Sequence, residues 1–359
     1  MNNPFKYGSI VEGDFFTNRT DDLQKAIQII QSANHLILIS PRRYGKTSLI
    51  NKAVASLNRP TIFLNLQLVT TVSDFATELL KRLLNVYKLE KMKQFFKNFR
   101  FVPTISLNPV LNSFDISFLP TSSVKPILED VFSLIETLGE KGKKPIIIFD
   151  EFQEISAIDK SLNKQLRSII QHHQNVNYVF MGSQESLMQD IFERKKSPFY
   201  HFGTLQTLDV IPYSDFEVFL KNGFLSLVSK KEVNAIAENI LSFTKQHPYY
   251  TQMLAFHYFN ALLRKEKPTI QDVVFSVVQE HDVDYERIWM SLNRKDRELI
   301  IELIYLEKGI RSTKNNNIPT STRYSAYKRL LINGYLIQNK EGYKVEDPFF
   351  SAWVISKRE

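Results

Sequence analysis

Cysteine is absent from all 359 residues. That one absence removes a disulfide framework, thiolate zinc sites, iron–sulfur clusters and a cysteine nucleophile. Glycine is scarce too, with 11 residues where average usage predicts about 25, so each remaining glycine carries positional information. No stretch approaches the roughly 18 uninterrupted apolar residues of a membrane helix. The opening Met1-Asn2-Asn3-Pro4-Phe5-Lys6-Tyr7 lacks the basic start and apolar run of a signal peptide. The sequence therefore reads as soluble, cytoplasmic and without membrane contact. The seven histidines form no His-Glu-x-x-His pattern, and the adjacent His172 and His173 would point about 100° apart on a helix rather than to one metal. No Gly-x-Ser-x-Gly elbow occurs. Zinc-peptidase and serine-hydrolase chemistry drop out.

What is present is ordinary globular material. Hydrophobic residues make up 43% and charged residues 23%, which excludes disorder over most of the chain. At about 150 residues per domain the length predicts two to three domains. A formal charge of +8 and a pI near 9.3 suit a polyanionic partner, whether nucleotide, nucleic acid or acidic protein, without choosing among them.

Five short apolar runs read as strands: His35 to Ser40, Thr61 to Leu66, Pro145 to Asp150, Asn177 to Ser183 and Leu205 to Val210. Their apolarity is continuous rather than alternating. That pattern means burial on both faces, the condition of a parallel sheet between helices. Between the second and third runs lies an insertion, about 88–122, entered through a helical stretch from Asp74 to Arg100. Thr104-Ile105-Ser106-Leu107 and Phe114-Asp115-Ile116-Ser117-Phe118 alternate with period two and predict a hairpin. After Val210 the periodicity turns helical, predicting helices over Asp215 to Leu227, Lys231 to Thr244, Tyr249 to Arg264 and Ile270 to His281. Further helices at Lys295 to Glu307 and Thr320 to Asn333 flank a polar loop, Arg311 to Pro319. Two short strands follow, around Lys340-Glu341-Gly342, which is the order of a winged helix-turn-helix. The expected domains are 1–212 (α/β core), 213–290 (helical lid) and 291–359 (winged helix).

Chemistry concentrates where the first and third strands end. Ser40-Pro41-Arg42-Arg43-Tyr44-Gly45-Lys46-Thr47-Ser48 follows the first strand and opens a helix. Backbone N–H groups at a helix N-terminus bind phosphate, and a lysine with a neighbouring hydroxyl suits a triphosphate with Mg²⁺. This is a Walker A loop with Ser40 in place of the first glycine. The third strand ends in Asp150-Glu151, at the edge where ligands gather in doubly wound sheets. Asp150, with Thr47, is the expected Mg²⁺ ligand, and Glu151 the group that orients or deprotonates the attacking water. Ser183, with Gln184 second, ends the neighbouring strand and is the candidate to contact that water or the γ-phosphate. The same residues also satisfy a capped turn leading into a helix from Glu185 to Asp190.

Phe16-Thr17-Asn18-Arg19, the Pro41-to-Leu49 loop, Ile148-Phe149-Asp150-Glu151-Phe152, Gly182-Ser183, Gln246-His247-Pro248-Tyr249-Tyr250 and the terminal Tyr343-to-Val354 segment occur in order along nearly the whole chain. Together they resemble the archaeal-type ATPase family, a STAND branch of the AAA+-related P-loop NTPases. The resemblance implies an α/β P-loop core, a helical lid, a C-terminal winged helix, ATP or ADP with Mg²⁺ as ligands, and a nucleotide-controlled switch that signals to a protein effector. It also implies that Arg43, Tyr44, Gly45, Lys46, Thr47 and Ser48 hold the phosphates with Lys46 assisting catalysis, that Arg19 approaches the adenine edge, and that His247 lies near the nucleotide. The residues alone leave a second reading of His247, a helix cap ahead of Pro248. Where relatives often carry an arginine after a Pro-aromatic-Tyr segment, this chain has Ser197-Pro198-Phe199-Tyr200-His201-Phe202. Without it turnover should be slow, unless Arg194 or a self-associated neighbour supplies the charge. Arg311, Lys314, Arg323, Lys328 and Arg329 in the winged-helix region support an alternative, an ATP-regulated DNA-binding protein resembling origin-recognition ATPases.

Overall fold

The computed structural model describes residues 2–11, 13–16, 19–87, 89–108, 113–118, 125–307, 319–339 and 342–358. They form two compact units. A sheet unit comprises Thr20–Ser40 and Leu49–Leu208, and a helical unit comprises Met1–Arg19, Pro41–Ser48 and Asp209–Glu359.

In chain order the first part runs α1 (Thr20–Gln31), β1 (Leu36–Ile39), α2 (Lys46–Ala55), β2 (Thr61–Asn65), α3 (Val72–Val86), α4 (Leu89–Phe96), β3 (Thr104–Asn108), β4 (Ser113–Ser117) and α5 (Lys125–Glu140). It continues β5 (Ile146–Asp150), α6 (Ile155–Ile158), α7 (Leu162–Ile170), β6 (Asn177–Gly182), α8 (Glu185–Phe192) and β7 (Thr204–Thr207). Five strands pair in parallel in the order β2-β5-β6-β1-β7. The three central strands are buried at every position, as their unbroken apolar runs require, whereas β2 alternates, as an edge strand does. α3 lays Phe75, Leu79, Leu80 and Leu83 into the core, and Phe75 stacks on Phe149 of β5 at 5.7 Å. The expected hairpin is present: β3 pairs antiparallel with β4, Thr104 opposite Ser117. The residues joining them, 109–112, lie outside those described.

The helical unit holds α9 (Tyr213–Phe224), α10 (Lys230–Thr244), α11 (Pro248–Leu263), α12 (Ile270–Glu280), α13 (Asp282–Ser291), α14 (Arg294–Glu307) and α15 (Thr320–Ile332). The antiparallel pair β8 (Leu336–Asn339) and β9 (Gly342–Val345) and a final helix α16 (Pro348–Ser356) complete it. Helix, helix and hairpin follow one another as the pattern predicts; the loop assigned to Arg311–Pro319, with Arg311 and Lys314, falls almost wholly outside the described residues. One continuous apolar cluster runs from Phe216 on α9 to Val354 on α16 and takes in Phe5. Phe5 packs 4.8 Å from Phe224, and Gly223 makes room for it: a Cβ there would sit 2.3 Å from the ring's Cζ.

Candidate functional site

β5 delivers Asp150 as its last residue, 8% exposed. The chain then turns through Glu151 at φ +52°, ψ +46°, a left-handed conformation rarely taken by residues other than glycine. The Glu151 N–H donates to Asp150 Oδ1 at 3.0 Å. On the adjoining strand β6, Ser183 follows the last residue and donates its hydroxyl to Glu151 Oε2 at 2.6 Å. Gln153, in the short 3-10 turn after Glu151, donates its amide to the same oxygen. No donor among the described residues reaches Glu151 Oε1, so that oxygen is the one left to accept a proton. Gln153 is 5% exposed, and its own Oε1 has no hydrogen-bond partner among the described residues. Gly182 is required beside it, because a Cβ would lie 2.6 Å from that oxygen and 2.4 Å from Met188 Cγ. Gln184 occupies the N-cap of α8 with no side-chain capping bond.

In the helical unit, Pro41–Ser48 connects the end of β1 to the start of α2. Arg43 (φ +63°) and Gly45 (φ +88°) both adopt left-handed conformations, and successive turns of this kind aim backbone N–H groups into a concavity that suits an anion. Lys46 is 7% exposed and donates from Nζ to Pro41 O at 3.1 Å. Ser48 Oγ accepts from Val11 N at 3.1 Å. Thr47 stands in the first turn of α2. Arg19, buried, donates from Nη2 to the carbonyls of Tyr44 (3.1 Å) and Asp209 (2.7 Å), fastening the loop to the segment that leads into α9.

The loop's side chains meet the start of α11. The Tyr44 ring lies edge-on to His247 at 4.7 Å. His247 is the N-cap of α11, its Nδ1 accepting from the N–H groups of Tyr249 and Tyr250, and its Nε2 is 3.0 Å from Glu346 Oε1. The Arg43 guanidinium lies 4.4 Å over the Tyr249 ring and reaches the Tyr250 hydroxyl at 3.4 Å. Burial, with Asp347 and Glu346 nearby, pushes the Tyr250 hydroxyl well above its ordinary pKa. Asp347, which caps α16 through Phe349 N and Phe350 N, is pushed up to about 6 by burial and by Glu346.

Asp150, Glu151 and Ser183 are thus brought together in the sheet unit, and Arg19, Arg43, Tyr44 and His247 in the helical unit. Gln153, Tyr250 and Glu346 touch these residues; the last two lie in segments that carry the family resemblance, but none of the three was assigned a role from the sequence. The signal for Gln153 was its place two residues after a strand-ending carboxylate. Glu346 lay inside the terminal landmark segment, but nothing there pointed to its partners, which lie about a hundred residues upstream.

Residues 16–254, well over half of the chain, match the family described as an ATPase domain predominantly from Archaea. An uncharacterized ATP-binding protein of Methanocaldococcus jannaschii is 26% identical over 158 residues, covering 41% of this chain and 43% of that relative's length. The match thus spans less than half of the relative. Among solved structures, the Walker-type ATPase of Pyrococcus abyssi superposes with a TM-score of 0.64 at 18% identity over 95% of this chain and 97% of that one. The ORC2 protein of Aeropyrum pernix gives 0.54 at 11% over 99% of each. At these identities the likeness is one of fold. The left-handed glycine loop, the acidic end of β5 and the family match agree, and the chain belongs to the archaeal family of P-loop ATPases.

Proposed function

We propose that the protein is a Mg²⁺-dependent ATPase that turns over slowly and acts as a STAND-type, AAA+-related switch. The observation that carries the reading is Glu151, whose carboxylate is fixed by Ser183 and Gln153 through one oxygen and left with the other to accept a proton from water. Lys46 and the N–H groups around Gly45 are the proposed phosphate grip. The donor set fits Mg²⁺. No group of three or more metal-binding side chains occurs among the described residues, and Mg²⁺ is typically held by one or two carboxylates or hydroxyls together with substrate phosphates and water. Thr47 and Asp150 would hold the ion, which supplies charge neutralisation when bound. Arg19 shapes the loop through the Tyr44 carbonyl, and His247 contributes its ring beside Tyr44, because both its nitrogens are engaged. In this reading the helices 213–290 form the lid and 291–359 a winged helix that passes the nucleotide state to a protein effector in the cytoplasm, with self-association as one source of a catalytic arginine. No helix among the described residues is long and apolar enough to cross a membrane.

The test is direct. Lys46→Ala should lose measurable ATP binding, and Glu151→Gln should bind ATP normally while hydrolysis falls by about 10² or more. Equal hydrolysis by all three proteins would sink the reading.

A second reading, DNA binding under ATP control, draws on a cleft of about 550 Å³ lined by Asn293, Arg294, Lys295, Ser321, Thr322, Ser325 and Arg329. Against it, Arg323 is committed to Glu302 and Arg329 to Asp296. Duplex affinity that falls steeply with salt would favour this reading over a protein effector.

A further inference from the structure

Glu346 lies in the turn between β9 and α16, ninety-nine residues beyond His247. Its side chain reaches back into the lid. Oε1 meets His247 Nε2 at 3.0 Å, and Oε2 accepts the Tyr250 hydroxyl at 2.8 Å. The tautomer follows from the helix cap: His247 Nδ1 accepts two backbone N–H groups, so a neutral ring carries its proton on Nε2, facing the carboxylate. Tyr250 is 2% exposed and has one proton. It gives that proton to Glu346, so toward Arg43 Nη1 it can only accept. The bonds therefore run in one direction, from a phosphate-loop guanidinium through Tyr250 to Glu346.

We propose that Glu346 and Tyr250 are positioning residues of the nucleotide site: they hold Arg43 and His247, and ATP draws Arg43 off Tyr250 onto phosphate oxygens. The proposal rests on reading Pro41–Ser48 as the phosphate loop. A 3.4 Å bond to a neutral hydroxyl is weak, whereas arginine and phosphate form short, charge-assisted, often bidentate pairs. The exchange therefore runs toward phosphate. When Arg43 leaves, Glu346 loses the cation at the head of its chain while Asp347, the cap of α16, stays beside it. The change is then felt at α16, whose Trp353 packs 6.2 Å from Trp289 and donates to Asp282 Oδ1 at 2.6 Å. These are the only two tryptophans in the chain.

The experiment titrates ATP with Mg²⁺ into the full chain and follows tryptophan emission, while equilibrium dialysis of labelled ATP measures binding separately. Wild type should show an emission change with the same midpoint as binding. Tyr250→Phe should keep its fold, bind ATP about two- to fivefold tighter because Arg43 no longer leaves a partner, and lose most of the emission change. Glu346→Gln should lose the change too. Emission of wild-type size in both variants, or weaker binding by Tyr250→Phe, overturns the proposal, as does ATP binding to wild type without any emission change. Deuterium uptake of residues 346–356 in wild type gives a check that needs no variant: it should change on adding ATP, and identical uptake overturns the proposal. Failure of wild type to bind ATP at all would instead bring down the phosphate-loop assignment, and this inference with it.

Discussion

Glu151 holds its left-handed backbone at a cost of roughly 1 kcal/mol or more, and the contacts of its carboxylate explain what that conformation achieves. The turn swings Gln153 back so that its amide meets the same oxygen as Ser183. Removing that amide with Gln153→Ala should lower kcat about tenfold and leave ATP affinity unchanged. In a Glu151→Gln background the second substitution should add nothing, because Gln153 acts through Glu151. A further tenfold loss in that background would show that Gln153 acts by another route. Lys46, Asp150 and Glu151 were legible as candidates because the roles proposed for them follow from chain position alone, at a strand end or a helix start. Ser183 was legible as a neighbour of Glu151 because adjoining parallel strands end side by side. Gln153 was not, although it lies two residues beyond Glu151, because no periodicity encodes the left-handed turn that folds its amide back; nor was the contact of Glu346, whose partners His247 and Tyr250 lie about a hundred residues upstream.

The elements fall into those whose residues announce them and those whose surroundings define them. The central strands were readable from unbroken apolar runs and the inserted hairpin from its alternation. α16 was not, because Pro-Phe-Phe-Ser-Ala-Trp-Val-Ile-Ser presents apolar groups around much of its circumference and shows no single stripe. α13 has no side-chain cap to mark its start, and the helical stretch read from Asp74 to Arg100 is divided between α3 and α4. α9 shows how packing overrides propensity. Alanine is the better helix former, by about 1 kcal/mol, yet Gly223 is the position on which the Phe5 ring rests. Gly223→Ala should destabilise the protein by about 1–3 kcal/mol, although Ala alone would favour the helix. Phe5→Ala should cost about 3–5 kcal/mol, and the double variant no more than Phe5→Ala. Denaturant melts of the three proteins check this; a double variant showing the sum of both losses would mean that the two residues act independently.

Across the whole molecule, two partly buried groups give stability opposite slopes with pH. Asp347, raised to about 6, favours the folded chain only while protonated, so its contribution is full below the ordinary aspartate pKa and is lost as pH rises through about 6. His35 in the sheet unit is lowered to about 4, by burial first and then by Arg167 and His173, and its Nδ1 accepts from Tyr178 N. Its contribution is present above the ordinary histidine pKa and is lost as pH falls toward about 4. Asp347→Asn keeps a capping oxygen without the charge. Its stability advantage over wild type should grow by on the order of 2 kcal/mol between pH 4.5 and 7.5, while the acid-side loss due to His35 stays the same in both. Thermal unfolding at the two pH values measures the difference, and a gap that does not vary with pH would refute the assignment of Asp347.

The grouping of Pro41–Ser48 with the helices has a practical side for anyone trimming the chain to a minimal P-loop fragment. Cutting after Leu208 would keep every residue of the Walker motifs. It would also discard Asp209, His247, Tyr249 and Tyr250, on which Arg19, Tyr44 and Arg43 rest. Such a fragment would carry the right letters on an unsupported backbone, so the shortest useful version extends through α16.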